Sequence, residues 1–119
     1  LTGFLTTKRK MQMAVSPTQR TLKRLRESGE YPLVEVVEHY NFFSKKRNDL
    51  YGILDILAID IKGNTVGLQV TSYSNISARI KKMENSDAIS HLRDANWQLI
   101  VEGWHKKDNK WVSRIVDIS

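Results

Sequence analysis

The sequence predicts a mixed α/β (α+β) domain in which helices flank one central sheet. Three observations lead to this prediction: a capped amphipathic helix near the start, several strand-like runs separated by turn residues, and apolar residues at helical spacing between those runs. The expected order is one helix, three strands, one helix or a helix pair, and two strands, written αβββαββ. This order lacks the regular alternation of a βαβ fold, so we expect a mixed sheet.

The first helix is predicted from its capping residues. Ser16 is suited to the cap, Pro17 to the first helical position, and Gln19 completes a capping box. Gly29 provides a natural end. Two leucines form a narrow apolar stripe and basic residues cover the remainder, which favours a solvated outer face over a nucleic-acid contact.

The next predicted elements are three strands with one loop between them. Residues 31–40 form a valine-rich strand, whereas the polar residues 41–52 break the pattern and are expected to form a loop. Residues 53–61 and 65–72 are predicted as a hairpin around the turn Lys62-Gly63-Asn64.

The last part of the chain alternates helical and strand patterns. Residues 74–85 and 86–96 carry apolar side chains at helical spacing, so one or two helices are expected there. Residues 97–104 and 110–118 are predicted as strands on either side of the polar turn 105–109. The three tryptophans of this region are assigned to core and sheet packing rather than to base stacking.

Composition limits the possible function classes. The 119 residues allow one core, assigned to residues 16–119, with residues 1–15 as a basic tail. The absence of cysteine excludes disulfides and thiolate zinc sites, and no apolar run approaches the ~20 residues that cross a bilayer. The net charge of +6 suits a polyanionic partner such as nucleic acid, although a merely soluble basic surface is the alternative.

An aspartate lies in the most apolar run of the chain. Both faces of the 53–61 strand are largely apolar, so Asp55 is predicted to be buried, and an ionised carboxylate there needs compensation. A three-residue turn at 62–64 places Asp55 opposite Thr71 and diagonal to Gln69, all on one face. A two-residue turn would send Asp55 to the other face.

Two explanations of this polar group remain open. The carboxylate and amide oxygens are hard ligands suited to Mg²⁺ or Mn²⁺. Alternatively, Asp55 is hydrogen-bonded to Thr71 and Gln69 without any metal, and the residue spacing alone favours this second explanation.

An aspartate followed in the next strand by a polar-x-polar pair resembles the PD-(D/E)XK nuclease core. In that family the aspartate and a following acid bind magnesium, and a lysine helps to position water; Asp55, Gln69 and Thr71 occupy these positions here. The runs "RNDLYGILDILAID", "LQVTSYSNISARIKKM" and "VEGWHKK" also resemble small phage and bacterial proteins described as Holliday-junction-resolvase-like. The resemblance covers about residues 16–118.

The resemblance implies a restriction-endonuclease-like core and a metal-dependent, structure-selective endonuclease that hydrolyses phosphodiester bonds in branched or structured DNA. Asp55, Gln69 and Thr71 would form the catalytic group, with Asp55 and Gln69 holding Mg²⁺ or Mn²⁺. It also implies a homodimer and the cytoplasm of a bacterial or phage-infected cell. The residues expected to contact nucleic acid are Lys45, Lys46, Arg47, Ser72, Asn75, Arg79 and Lys82.

This sequence departs from the family pattern at two positions. Gln69 removes a negative charge from the metal site, and Thr71 leaves no lysine beside it. The lost acid has three candidate replacements in Glu27, Glu35 and Glu38. The alternative function is therefore a catalytically degenerate module that binds nucleic acid without cleaving it, and a protein-interaction domain is a third possibility.

Overall fold

The computed structural model describes residues 15–119. The basic tail assigned to residues 1–15 therefore lies almost entirely outside the described residues. Within the described part of the chain, no helix is long and apolar enough to cross a membrane.

Residues 15–119 contain three α-helices. Helix α1 spans Pro17–Ser28 and begins as predicted, with the Ser16 hydroxyl accepting a hydrogen bond from the Gln19 amide at 3.2 Å. It ends at Gly29, whose φ of +73° favours glycine. A 3₁₀ turn at Tyr73–Asn75 leads into α2, and the remaining two helices are α2 (Ile76–Glu84) and α3 (Ala88–Asp94).

Seven strands form two sheets in the part of the chain that the structure describes. The main sheet is mixed, with the order β1-β4-β5-β6-β7, in which only β5 and β6 are parallel. Helices α2 and α3 lie in the connection between these two strands, so the α+β class and the mixed sheet are confirmed. The strands are β1 (Leu33–Val36), β2 (His39–Asn41), β3 (Lys46–Asn48), β4 (Ile56–Ile59), β5 (Thr65–Ser72), β6 (Gln98–Lys107) and β7 (Lys110–Asp117).

The prediction of a plain loop at 41–52 is wrong. β2 and β3 pair as a separate antiparallel hairpin, and the predicted first strand is split between β1 and β2. The Asn41 side chain closes the turn by accepting hydrogen bonds from the Phe43 and Ser44 amides at 2.9 and 3.2 Å. An asparagine side chain can therefore supply turn chemistry that the polar sequence alone does not reveal.

The β4–β5 turn has the predicted length but lies one residue earlier. Asp60 pairs with Asn64 through a backbone hydrogen bond of 3.0 Å, which leaves residues 61–63 as the turn. The Asp60 carboxylate also accepts hydrogen bonds from the Lys62 and Asn64 amides at 2.9 and 2.8 Å. These contacts, with Gly63 at a φ of +84°, fix the turn at this position.

This shift changes which residue lies opposite Asp55. In the observed register Ile56 pairs with Leu68, and the Asp55 amide donates to the Leu68 carbonyl at 2.8 Å, so Asp55 lies beside Leu68 and Gln69 rather than opposite Thr71. The predicted pairing of Asp55 with Thr71 is therefore wrong. Because the register moved by two residues, Asp55 and Gln69 still share one face, as expected.

The described buried apolar residues form one cluster on each face of the main sheet. The first cluster packs against α1, and the second packs against α2 and α3. The α1 cluster consists of Leu22, Leu25, Ile56, Ala58, Val66, Leu68, Val70 and Ile100. The other consists of Ile53, Leu54, Ile76, Met83, Ile89, Leu92, Leu99 and Val101.

A buried glutamate ties α1 to the sheet. Both carboxylate oxygens of Glu102 accept from the Arg24 guanidinium, at 2.7 and 2.9 Å. Thr21 and Ser113 donate their hydroxyls to the same carboxylate at 3.0 and 2.7 Å, and the Trp104 indole donates to Thr21 at 2.8 Å. Four donor atoms compensate the buried charge, so this group is part of the structural framework.

Candidate functional site

Asp55 and Gln69 are hydrogen-bonded in the interior of the domain. The Gln69 amide Nε2 donates to Asp55 Oδ2 at 2.6 Å, and the backbone amide of Val70 donates to the same oxygen at 2.8 Å. The two residues are only 4% and 1% exposed. The second amide atom, Gln69 Oε1, is buried and has no hydrogen-bond partner among the described residues. Such an unpaired oxygen is unfavourable because it has lost its contacts with water.

Two further carboxylates lie beside Asp55. Glu38, Asp49 and Asp55 each offer an oxygen, and these three atoms lie within 4.8 Å of one another. Glu38 directly precedes β2 and Asp49 directly follows β3, so the small hairpin brings both acids to the start of β4. Pairing of β2 with β3 therefore brings two acids, from positions well before Gln69 in the sequence, next to Asp55.

Three cations complete the lining of this site, which is an open cleft of about 340 Å³. Arg47 pairs with Glu38 at 2.7 Å, and Lys82 lies 3.6 Å from Asp49. Arg79 also lines the cleft. The three cations match three ionised carboxylates in charge, so the cleft is electrically balanced when Asp55 is ionised.

The surroundings of Asp55 disfavour its ionised form. Burial raises the pKa of this carboxyl to about 7, since it removes the charge from water. The Val70 amide opposes the shift by donating to the carboxylate. The neighbouring charges of Asp49 and Glu38 raise the pKa further, and Asp49 can also accept a hydrogen bond that only protonated Asp55 donates.

Of the ten residues that the sequence predicted for catalysis, metal binding or nucleic-acid binding, the structure brings five together. Asp55, Gln69, Arg47, Arg79 and Lys82 all line the cleft. The others do not line it. They are Thr71, which is buried at 5% exposure, the exposed Lys45 and Lys46, and Ser72 and Asn75, which are hydrogen-bonded to each other at 3.0 Å.

Sequence reasoning identified one of the two additional acids. Glu38 was among three candidates for a replacement carboxylate, and it is the one that meets Asp55. Asp49 was missed because it lies in a segment predicted as a loop. Its position six residues before Asp55, in the run "RNDLYGILD", was the available signal.

Comparison of the chain with protein-family models, with curated proteins and with solved structures gives no match. The function is therefore inferred from the residues of the cleft and from the sequence resemblance described above.

Proposed function

We propose that this protein is a metal-dependent endonuclease with a restriction-endonuclease-like core, acting on branched or otherwise structured DNA. The observation that carries the proposal is the meeting of three carboxylates, Glu38, Asp49 and Asp55, in a cleft that is also lined by Gln69, whose Oε1 is buried and unpaired. A divalent cation in the cleft would give this oxygen the partner that the protein does not provide. It would also offset the mutual repulsion of the three acids.

The donor atoms fit Mg²⁺ or Mn²⁺. Carboxylate and amide oxygens are hard ligands, and Mg²⁺ retains several waters, so a small set of protein ligands is sufficient. Glu38 and Asp49 supply the negative charge that Gln69 does not, which supports metal binding by Asp55 despite the substitution. Such an ion lowers the pKa of a bound water and neutralises charge on a phosphoryl group.

The remaining cleft residues suit the recognition of a phosphodiester. Arg47, Arg79 and Lys82 place three cations around the carboxylates, and guanidinium groups bind phosphate oxygens with well-defined geometry. Gln69 holds the Asp55 carboxylate in one orientation through the 2.6 Å hydrogen bond. Thr71 receives no role in this proposal because it does not line the cleft.

A second candidate is a module that binds nucleic acid without cleaving it. It is favoured by the ion pairs of Arg47 with Glu38 and of Lys82 with Asp49, which already balance two of the acids. This module would keep the cationic cleft and lack a bound metal.

A cleavage assay on a four-way DNA junction, with Mg²⁺ or Mn²⁺, separates the two candidates. The proposal expects metal-dependent cutting by the wild type, and loss of cutting in Asp55→Asn, which keeps the shape of the side chain. Asp87→Asn is the matched control, because Asp87 is exposed and makes no side-chain cap at the start of α3. Salt-sensitive binding without cutting, unchanged in Asp55→Asn, would instead support the binding module.

The proposal also includes a homodimer, on the basis of the resemblance alone. Sedimentation equilibrium with and without junction DNA measures this directly, and a monomer under both conditions would contradict it.

A further inference from the structure

A second concave surface lies at the carboxyl end of β5. It is an open groove of about 350 Å³ between the Tyr73–Asn75 turn, the β6–β7 hairpin and the start of α1. Its lining includes Tyr73, Trp104, Lys106 and Trp111. We call it the aromatic groove, and none of its lining residues belongs to the Asp55 cleft.

The aromatic rings of this groove are exposed and held in place. Tyr73 is 42% exposed and its ring centroid lies 4.3 Å from that of His105. Trp111 is 46% exposed, with the Arg20 guanidinium 3.9 Å from its ring centroid. The sequence-based assignment of all three tryptophans to packing is therefore wrong for Trp111. Rings fixed by neighbours lose little further freedom when a flat ligand stacks on them.

The charge around the groove favours an anionic ligand. Residues 104–114 carry four cationic side chains and one carboxylate, Asp108. Lys106 lines the groove, and Arg20 adds a further cation beside Trp111. Aromatic rings among cations are the usual means of binding single-stranded nucleic acid, in which bases stack and phosphates meet basic residues. An uncharged protein partner would leave these cations without partners.

The groove and the cleft are linked by one segment of chain. Ser74 lines the groove, and α2, which begins two residues later, carries Arg79 into the cleft. At the helical rise, the five residues from Ser74 to Arg79 span about 8 Å along the chain. The groove and the cleft are therefore lined from the two ends of one short segment of the chain.

We propose that the aromatic groove binds an unpaired nucleotide segment, with bases stacked on Tyr73 and Trp111 and phosphates beside Arg20 and Lys106. The delivery of that strand to the cleft rests on the proposed nuclease function, whereas binding in the groove does not. The proposal implies that the branched substrate has an unpaired stretch next to the phosphodiester that is cut.

Binding of fluorescent oligothymidylate and oligouridylate in EDTA, followed by anisotropy, tests the groove without cleavage. Tyr73→Ala and Trp111→Ala are each expected to weaken single-strand binding by about 5- to 150-fold, as for the loss of one stacking ring. Tyr51→Ala is the matched control, since Tyr51 is an exposed ring outside both sites, and it should bind as wild type. Trp111→Phe keeps a ring and should recover most of the affinity, which separates stacking from misfolding.

A charge variant gives an independent readout. Lys106→Gln is expected to reduce the slope of log affinity against log salt by about 0.7, the value for one phosphate contact on a single strand. Lys62→Gln, on the opposite end of the β4–β5 hairpin and outside the groove, should leave that slope unchanged. An unchanged slope in Lys106→Gln would overturn the placement of phosphate there.

The outcomes separate this inference from the proposed function. If the groove variants bind single strands like wild type, or if they weaken duplex binding equally, the groove assignment is overturned even if the wild type cuts DNA. If they lose single-strand binding while the wild type shows no metal-dependent cutting, the groove stands and the nuclease proposal falls. A preference between oligothymidylate and oligouridylate that the same variants abolish supports the groove.

Discussion

Asp55, which directly precedes β4, is joined to Gln69 of β5 by a 2.6 Å hydrogen bond from Nε2 to Oδ2. Asp55 Oδ2 also receives the Val70 amide, so one carboxylate oxygen accepts both hydrogen bonds. The carboxyl group as a whole remains close to the acids of the cleft. This arrangement makes the folded protein sensitive to the charge of a single side chain.

Asp55→Asn is expected to raise the free energy of unfolding at pH 8 by about 1–3 kcal/mol. The asparagine oxygen can keep both hydrogen bonds, and its NH₂ replaces an unfavourable negative charge near Asp49 and Glu38 with a donor. At pH 5, where Asp55 is protonated in the folded state, the difference should be much smaller. Urea denaturation at both pH values measures it, and equal destabilisation at both would contradict the expectation.

The stability of the wild type should fall as the pH rises from about 4 to about 7. Since the pKa of folded Asp55 is raised to about 7, the folded state binds more protons than the unfolded state throughout this window. This group therefore lowers the unfolding free energy by at most about 1.4 kcal/mol per pH unit, with no further change above the window. Denaturation at a series of pH values checks this, and Asp55→Asn should lack the Asp55 contribution to that slope.

Metal affinity should increase with pH for the same reason. Below pH 7 a divalent cation must displace the Asp55 proton, so Mn²⁺ affinity is expected to rise by up to about tenfold per pH unit and then level off. Calorimetric titration of Mn²⁺ from pH 5.5 to 8, in two buffers of different ionisation enthalpy, also measures the proton released. A pH-independent affinity would argue against Asp55 as a ligand.

Gln69→Glu should strengthen metal binding and weaken the metal-free fold. It adds a fourth carboxylate to the cleft, which raises affinity for a hard cation on the order of tenfold. Without metal, the added charge would repel Asp55 and remove the Nε2 donor, lowering the melting temperature. Thermal denaturation with and without Mn²⁺ measures both effects, and Gln19→Glu, at an exposed position of α1 outside the cleft, is the control for metal affinity.

Glu102→Gln is expected to cost about 3 kcal/mol of stability, because it leaves the partly buried Arg24 without its charge partner. The comparison is Glu27→Gln, which breaks only the exposed 4.0 Å pair with Lys23 and should change stability by less than about 0.5 kcal/mol. Chemical denaturation measures both. Similar effects in the two variants would show that Glu102 does not stabilise the packing of α1 against the sheet.

Local sequence chemistry predicted the elements whose determinants are close together in the chain. The Ser16 cap and the Gly29 end defined α1, and alternation of apolar residues located β5. The β4–β5 register was missed by two residues because the Asp60 side chain, rather than the Gly63 position alone, closes the turn. Asp49 was missed because its role depends on β2–β3 pairing, which brings it back to Asp55.

The exposure of Trp111 was missed for a related reason. Tryptophan in a strand is usually packed, and Trp97 and Trp104 do pack against the two apolar clusters. Trp111 lies near the start of β7, the edge strand of the main sheet, where α1 contributes an arginine rather than an apolar side chain. Whether a tryptophan ring meets an apolar or a charged neighbour depends on tertiary packing, which the local sequence pattern does not specify.

The placement of Asp55 on the same face as Gln69 depends on the number of residues in the turn at 61–63 more than on their types. Because side chains alternate along a strand, inserting or deleting one residue there would force either a bulge or a pairing in which Asp55 and Gln69 face opposite layers. Substitutions within the turn would not change the number of residues, so Asp55 and Gln69 would stay on the same face. Over evolutionary time this short surface loop should therefore tolerate many changes of residue and very few single-residue insertions or deletions, although nothing in it touches the cleft.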